Sequence, residues 1–155
     1  MIRLNILAVG KLKEKYWKDA LEEYVKRIRK YAAMAIAEVA DEPDEGCRNA
    51  GRQQELEGER LLKQIKGFCV LLDLEGKSVT SEEIAAMIQN CASAGESELT
   101  FVIGGSRGVS QAVKARADRM VSLGSVTFPH QLMRVILAEQ LYRAMSILNN
   151  TGYHK

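Results

Sequence analysis

An α/β fold on a mostly parallel sheet is predicted by two features of this sequence. Short apolar runs alternate with helical patterns along the whole chain, and the runs end in glycine-bearing or polar loops. A third feature agrees with them. The last helical pattern is apolar over so much of its circumference that it must be covered on more than one side. Ligands of open α/β sheets bind at loops that leave the carboxyl ends of strands, so those loops are the places to search.

The elements follow in order. Arg3 to Val9 is a short apolar run ended by Gly10, which suits a buried strand. Tyr16 to Tyr31 carries Trp17, Ala20, Leu21, Tyr24, Val25 and Ile28 at three- and four-residue spacing, an amphipathic helix. Met34 to Val39 is an alanine-rich second strand. Asp41 to Gly51 is polar, holds Pro43 and Gly46, and is expected to be a mobile loop. Gln53 to Ile65 is a charged helix with a sparse apolar stripe, stopped by Gly67. Phe68 to Leu74 is a third strand running into Glu75-Gly76-Lys77. Thr80 or Ser81 caps the next helix, which ends near Cys91, with Glu83 as the acidic partner of the cap. Leu99 to Ile103 is a fourth strand, Gln111 to Asp118 a short helix, Arg119 to Leu123 a fifth strand and Gln131 to Leu148 the last helix. The order is βαβαβαβαβα.

At 155 residues, with 46% apolar and 27% charged residues, the chain suits one domain spanning 1–155 with a full core. A net charge of +2 excludes a polybasic field over the whole fold but not a local basic patch. Cys47, Cys69 and Cys91 form no C-x-x-C pair, and the last two read as small core residues. This usage, with no signal-peptide architecture and no run near the ~20 apolar residues of a membrane span, leads us to expect a cytoplasmic protein that meets no membrane.

Two loops carry the candidate chemistry. Gly104-Gly105-Ser106-Arg107-Gly108 follows the fourth strand, where glycines let a ligand approach exposed backbone N–H groups. It is neither G-x-G-x-x-G nor a P-loop, and by itself suits a tight structural turn equally well. The second loop runs from Ser122 to His130. Leu123, Val126 and Phe128 could wrap an apolar cofactor body, or could be core residues ahead of a helix that Pro129 starts. Asp73 and Glu75 at the third strand's end suit a solvated turn better than an acid–base pair. Met133, Ile136, Leu137, Leu141, Ala144, Met145 and Leu148 form the stripe of the last helix, interrupted by Arg134, Glu139 and Arg143. The tail Tyr153-His154-Lys155 offers stacking, hydrogen bonding and charge, the groups that hold an unstacked RNA base and its phosphates.

Taken together these segments resemble one family. They are L-A-V-G-K-L-K-E-K-Y at 7 to 16, L-L-D-L-E-G-K at 71 to 77, F-V-I-G-G-S-x-G at 101 to 108, T-F-P-H-Q-L-M-R-V at 127 to 135, E-Q-L-Y-R-A at 139 to 144 and the final Y-H-K. The family is the bacterial ribosomal large subunit methyltransferase H group, of the SPOUT class. The resemblance runs nearly end to end and is poorest from Asp41 to Gln54.

It implies a SPOUT-type fold with a deep C-terminal trefoil knot, a homodimer, and S-adenosyl-L-methionine held in the knot loops. Cofactor contacts then fall at Leu72, Gly104 and Gly105, and at Leu123, Gly124, Ser125, Val126, Thr127 and Phe128. The implied reaction is methylation of N3 of a pseudouridine in helix 69 of 23S rRNA, on the assembled 70S ribosome. The sulfonium methyl is already electrophilic, so no metal is required; alignment of N3 is the main task. Tyr153, His154 and Arg143 are expected as the catalytic residues at the substrate site. His130, Arg134, Arg107 and Lys155 are further substrate contacts. The acceptor of the N3 proton stays open between His154, Glu139 and hydroxide. Lys11, Lys13, Lys15 and Arg107 are expected to meet phosphates, and Leu141 to sit in the dimer interface.

Overall fold

A computed structural model describes residues 1–43 and 50–155. Residues 44–49 of the expected mobile loop, Cys47 among them, lie outside the described residues. The strands are β1 (Arg3–Val9), β2 (Ala33–Val39), β3 (Phe68–Ser78), β4 (Glu98–Ile103) and β5 (Arg119–Ser122). The helices are α1 (Lys15–Ile28), α2 (Ala50–Gln64), α3 (Ser81–Ser93), α4 (Gln111–Arg116) and α5 (His130–Leu148).

All five strands are parallel, in the order β2-β1-β4-β3-β5. Burial on both faces explains why β1 and β4 are apolar almost throughout. Leu4, Ile6, Ala8, Phe101 and Ile103 face α1, α3 and α5, whereas Leu7, Val9, Leu71 and Val102 face α2 and α4. α5 packs between α1 and α3, and Leu137, Ala138, Leu141 and Ala144 are buried there. Each buried leucine contributes roughly 1.5–3 kcal/mol. Leu141 is fully buried in the chain's own core, so its apolar character needs no second subunit.

The capping box predicted at α3 is present: Thr80 accepts from the Glu83 backbone N–H, and the Glu83 carboxylate accepts from the Thr80 N–H. Pro129 sits at the N-cap of α5, one position outside the helix. β3 differs more from expectation. It extends to Ser78, but its pairing with β5 jumps between Leu72 and Lys77, so Asp73 to Gly76 bulge out. Gly76 permits this, because a Cβ there would stand 2.6 Å from the Val121 backbone nitrogen. No helix among the described residues is long and apolar enough to cross a membrane.

Candidate functional site

The carboxyl ends of β3, β4 and β5 frame a pocket of about 450 Å³. Three chain segments build it: Leu72 to Glu75, Ile103 to Val109, and Val121 to Phe128 without Ser125, closed by His130 and Met133 from the start of α5. Its size and mixed lining suit a small-molecule site. Leu74 and Val126 line it although they are 57% and 64% exposed, two of only four large apolar side chains so exposed among the described residues. Apolar surface left open in a concavity marks a place where a ligand settles.

The glycines have separate physical reasons. A Cβ on Gly104 would strike Val109 Cγ1 at 2.5 Å, so the loop can fold under β4 only without a side chain. Gly108 has φ +80°, and its N–H donates to the Gly105 carbonyl at 3.0 Å, closing a tight turn over Ser106 and Arg107. Gly105 lies against Glu57 of α2: a Cβ would come within 2.6 Å of its Oε1.

Glu57 is nearly fully buried, and its Oε2 accepts from the Glu42 N–H at 3.0 Å. Its Oε1 has no hydrogen-bond partner among the described residues. Burial holds this carboxyl above the usual range, and Asp41 adds to the effect. Nearby, the Gln54 amide donates to the Arg107 carbonyl at 2.5 Å, so α2 braces the glycine loop from behind. His130 bonds to the Gly104 backbone, and its basicity is lowered by burial and by Arg134. Across the pocket mouth Glu75 meets Lys114 at 3.7 Å.

The tail forms a second cluster. Asn150 (φ 53°) and Gly152 (φ 76°) reverse the chain after α5, and Thr151 is fixed to Ser146 by backbone and hydroxyl bonds. Tyr153 then lies on Tyr142, ring centroids 4.6 Å apart, and its hydroxyl donates to Glu139 at 3.1 Å. Arg143 donates to the same carboxylate and stands 4.8 Å over the Tyr153 ring. His154 lies 3.3 Å from Arg143 Nη1 and 2.8 Å from Glu82 of α3. Burial and Glu139 push the Tyr153 phenol up, so it remains a neutral donor.

The structure therefore gathers the expected residues into two groups. Leu72, Gly104, Gly105, Leu123, Gly124, Val126, Thr127 and Phe128 line the pocket with His130 and Arg107, while Ser125 is exposed beside it and is not part of the lining. Tyr153, His154 and Arg143 form the tail cluster, and Lys155 is exposed. The two groups are separated, for Glu139 and Arg143 lie roughly 14–20 Å along α5 from His130 at 1.5 Å per residue. Arg134, expected to meet substrate, points inward instead. It is 2% exposed and donates to Glu38, to the Val9 carbonyl and to the Gly10 carbonyl. Cys69 is buried with its thiol pushed up to about 11, an inert core residue.

Sequence reasoning missed Gln54, Glu57 and Lys114. A signal for the first two was present: Gln53, Gln54, Glu57 and Gly58 put polar or small groups where α2 should carry an apolar stripe.

Comparison with known proteins defines the class first. Residues 2–154 match the family described as "Predicted SPOUT methyltransferase". A probable methylase family protein from Haemophilus influenzae Rd KW20 shares the fold, with TM-score 0.53 at 11% identity over 99% of this chain and 70% of that one. Full-length relatives then narrow the class. Ribosomal RNA large subunit methyltransferase H is 49% identical in Clostridium botulinum (strain Hall), over 99% of this chain and 100% of the relative. The proteins of that name are 47% identical in Lactobacillus helveticus (99% and 100% covered) and 46% in Desulforamulus reducens (100% of both). The chain belongs to the ribosomal RNA large subunit methyltransferase H family of the SPOUT class.

Proposed function

We propose that this protein methylates large-subunit ribosomal RNA with S-adenosyl-L-methionine, at N3 of a pseudouridine in helix 69 of 23S rRNA on the assembled 70S ribosome. The observation that carries the reading is the pocket at the ends of β3, β4 and β5, with its open apolar lining, in a chain so closely related to ribosomal RNA methyltransferases. Its residues suit that cofactor: Leu72, Leu123, Val126 and Phe128 offer apolar surface to an adenosine, and the backbone at Gly104 and Gly124 is open to its polar edges. When bound, the cofactor supplies an electrophilic methyl group on a sulfonium sulfur.

The chain's own residues then have to seat the nucleoside and remove its N3 proton. Arg143 is a permanent cation, and its bond to Glu139 raises its basicity further. Beside N3 it would stabilise the anion left by proton loss. The Tyr153 hydroxyl can donate to a carbonyl of the base, and its ring offers a stacking face. The proton has three candidate acceptors: His154, Glu139, which already receives bonds from Arg143 and Tyr153, and hydroxide.

One subunit does not bring this cluster to its own pocket. A homodimer in which the tail of one copy faces the pocket of the other joins the two groups, and the partly exposed Leu132, Val135 and Ile136 of α5 suit that contact. The deep knot belongs to the same reading.

The test is transfer of labelled methyl groups from S-adenosylmethionine to unmodified 70S ribosomes, beside naked 23S rRNA and tRNA, with the modified base mapped. Label on the helix 69 pseudouridine, in ribosomes alone, is expected. Label on tRNA would replace the substrate, and a folded protein that binds ribosomes without cofactor or transfer would overturn the enzymatic reading.

A further inference from the structure

The pairing of buried Arg134 with Glu38, whose carboxylate stays open to solvent on one side, is not explained by the reaction. Glu38 Oε2 receives Arg134 Nη1 at 2.5 Å and the Leu12 N–H at 2.8 Å, while Arg134 Nη2 holds both the Val9 and the Gly10 carbonyl at 2.9 Å. A buried guanidinium is tolerated only when its donors are engaged, and these partners hold it, and the chain around it, in one arrangement. Here it fixes the loop from Gly10 to Glu14. Gly10 turns the chain at φ +88°, and Leu12 is pegged into the main core. Lys11 and Lys13, on either side of that peg, stand exposed.

Tyr16 follows at the start of α1 and is 63% exposed. Its ring meets Trp17 edge-on, with centroids 5.0 Å apart at 64°, and Trp17 is packed on the core. The ring is thus supported on one side and open on the other. Lys15, the first residue of α1, pairs with Asp19 at 2.7 Å, and the loop itself carries two cations, Lys11 and Lys13, against one anion, Glu14. The end of β1, from which this loop departs, borders the pocket. β1 pairs with β4, Val9 Cγ1 would lie 3.3 Å from a Cβ on Gly105, and Arg134 follows the pocket residue Met133 on α5.

The geometry points to Lys11, Lys13 and Tyr16 as a contact site for single-stranded RNA next to the reacting nucleoside. The ammonium groups take backbone phosphates, and the Tyr16 ring stacks an unpaired base. Cations flanking an open aromatic ring are what such strands bind, largely independent of base identity. Lys13, Glu14, Lys15 and Asp19, all exposed, stand close to the ring in sequence, and a charged setting of this kind is depleted at the centre of protein interfaces. The Arg134–Glu38 pair is the positioning device that keeps this surface in register with the pocket. The inference rests on the RNA substrate proposed above.

The experiment compares wild type with Lys11→Ala/Lys13→Ala, Tyr16→Ala and Tyr16→Phe. Two readouts are taken with unmodified 70S ribosomes: co-sedimentation over a salt series, and methyl transfer. The double lysine variant should weaken binding about tenfold and flatten the log–log salt dependence by about 1.5, at roughly 0.7–0.9 per phosphate contact. Tyr16→Ala should weaken binding about tenfold and Tyr16→Phe should match wild type, since stacking needs only the ring. In transfer assays KM for ribosomes rises, kcat stays within about twofold, and affinity for S-adenosylmethionine is unchanged. Unaltered ribosome affinity and salt slope would overturn the inference. So would a change of sedimentation state in Tyr16→Ala, which would assign the ring to a contact between copies. Wild type that binds ribosomes through these residues yet transfers no methyl group would overturn the proposed reaction and leave the contact site standing.

Discussion

Glu57 and Val126 show how single residues carry different burdens. Glu57 is a buried carboxyl with one oxygen unpartnered among the described residues, held above its ordinary range by burial. A raised native value means the folded state binds the proton more tightly. Stability is therefore highest below the unfolded value near 4.5, and falls as pH rises through the native value. Asp41 opposes ionisation while Arg60, Gln53 and the Glu42 N–H favour it, so the balance belongs to the whole cluster. Glu57→Gln removes the charge and keeps an acceptor for the Glu42 N–H. It should stabilise the fold by roughly 1 kcal/mol at pH 8 and by much less at pH 4; equal melting shifts at both values would assign Glu57 no such role. Val126 is the opposite case, a large side chain on an open rim. Val126→Trp should fill the pocket and weaken S-adenosylmethionine binding at least tenfold, with the melting temperature nearly unchanged. Calorimetric titration reads the first and thermal unfolding the second.

At the scale of elements, α5 matters most, because it carries pocket residues at its start and anchors the tail at its end. If the tail acts as proposed, deleting Tyr153 to Lys155 should leave cofactor affinity within about twofold while methyl transfer falls at least a hundredfold, the loss expected when groups at a reacting centre are removed together. Normal turnover in that variant would make the tail dispensable. The elements themselves were legible because their signals are local. The alternation of apolar runs marked β1 and β4, Thr80 with Glu83 marked the start of α3, and Gly67 marked the end of α2. The excursion of β3 was not legible, since Gly76 reports a close approach to β5 and no sequence window contains both strands. Arg134 was misplaced for a related reason. An arginine among apolar residues signals either a site or a structural ion pair, and the partner, Glu38, lies 96 residues away.

For the whole molecule, the two clusters on one helix are the fact to explain. Leu141 belongs to the chain's own core, so a charge there would unfold the chain and could not test the proposed dimer. Ile136 is partly exposed on the same helix and is the better probe. In the proposed dimer, Ile136→Arg should raise the dissociation constant at least a hundredfold while preserving the circular dichroism of the fold, because that arrangement would force a charge into a closed contact. Analytical ultracentrifugation measures it, and a dimer that persists at nanomolar concentration would exclude this face. Mixing inactive Ile136→Arg chains with tail-deleted chains should not restore transfer, whereas mixing pocket-blocked Val126→Trp chains with tail-deleted chains should restore part of it. The pocket could be placed from motifs that follow strands, but the separation of tail from pocket needed the length and direction of α5.

The strand order also governs how the chain can be made. β1 lies inside the sheet, and its inner neighbour β4 is 95 residues away at Asn5 and Thr100. At ~5–20 residues per second, roughly 5–20 s of synthesis pass before that neighbour exists. Until then one edge of β1, apolar on both faces, has nothing to pair with. The first half of the nascent chain is thus a waiting, aggregation-prone segment, and the sheet closes late, by slow non-local pairing.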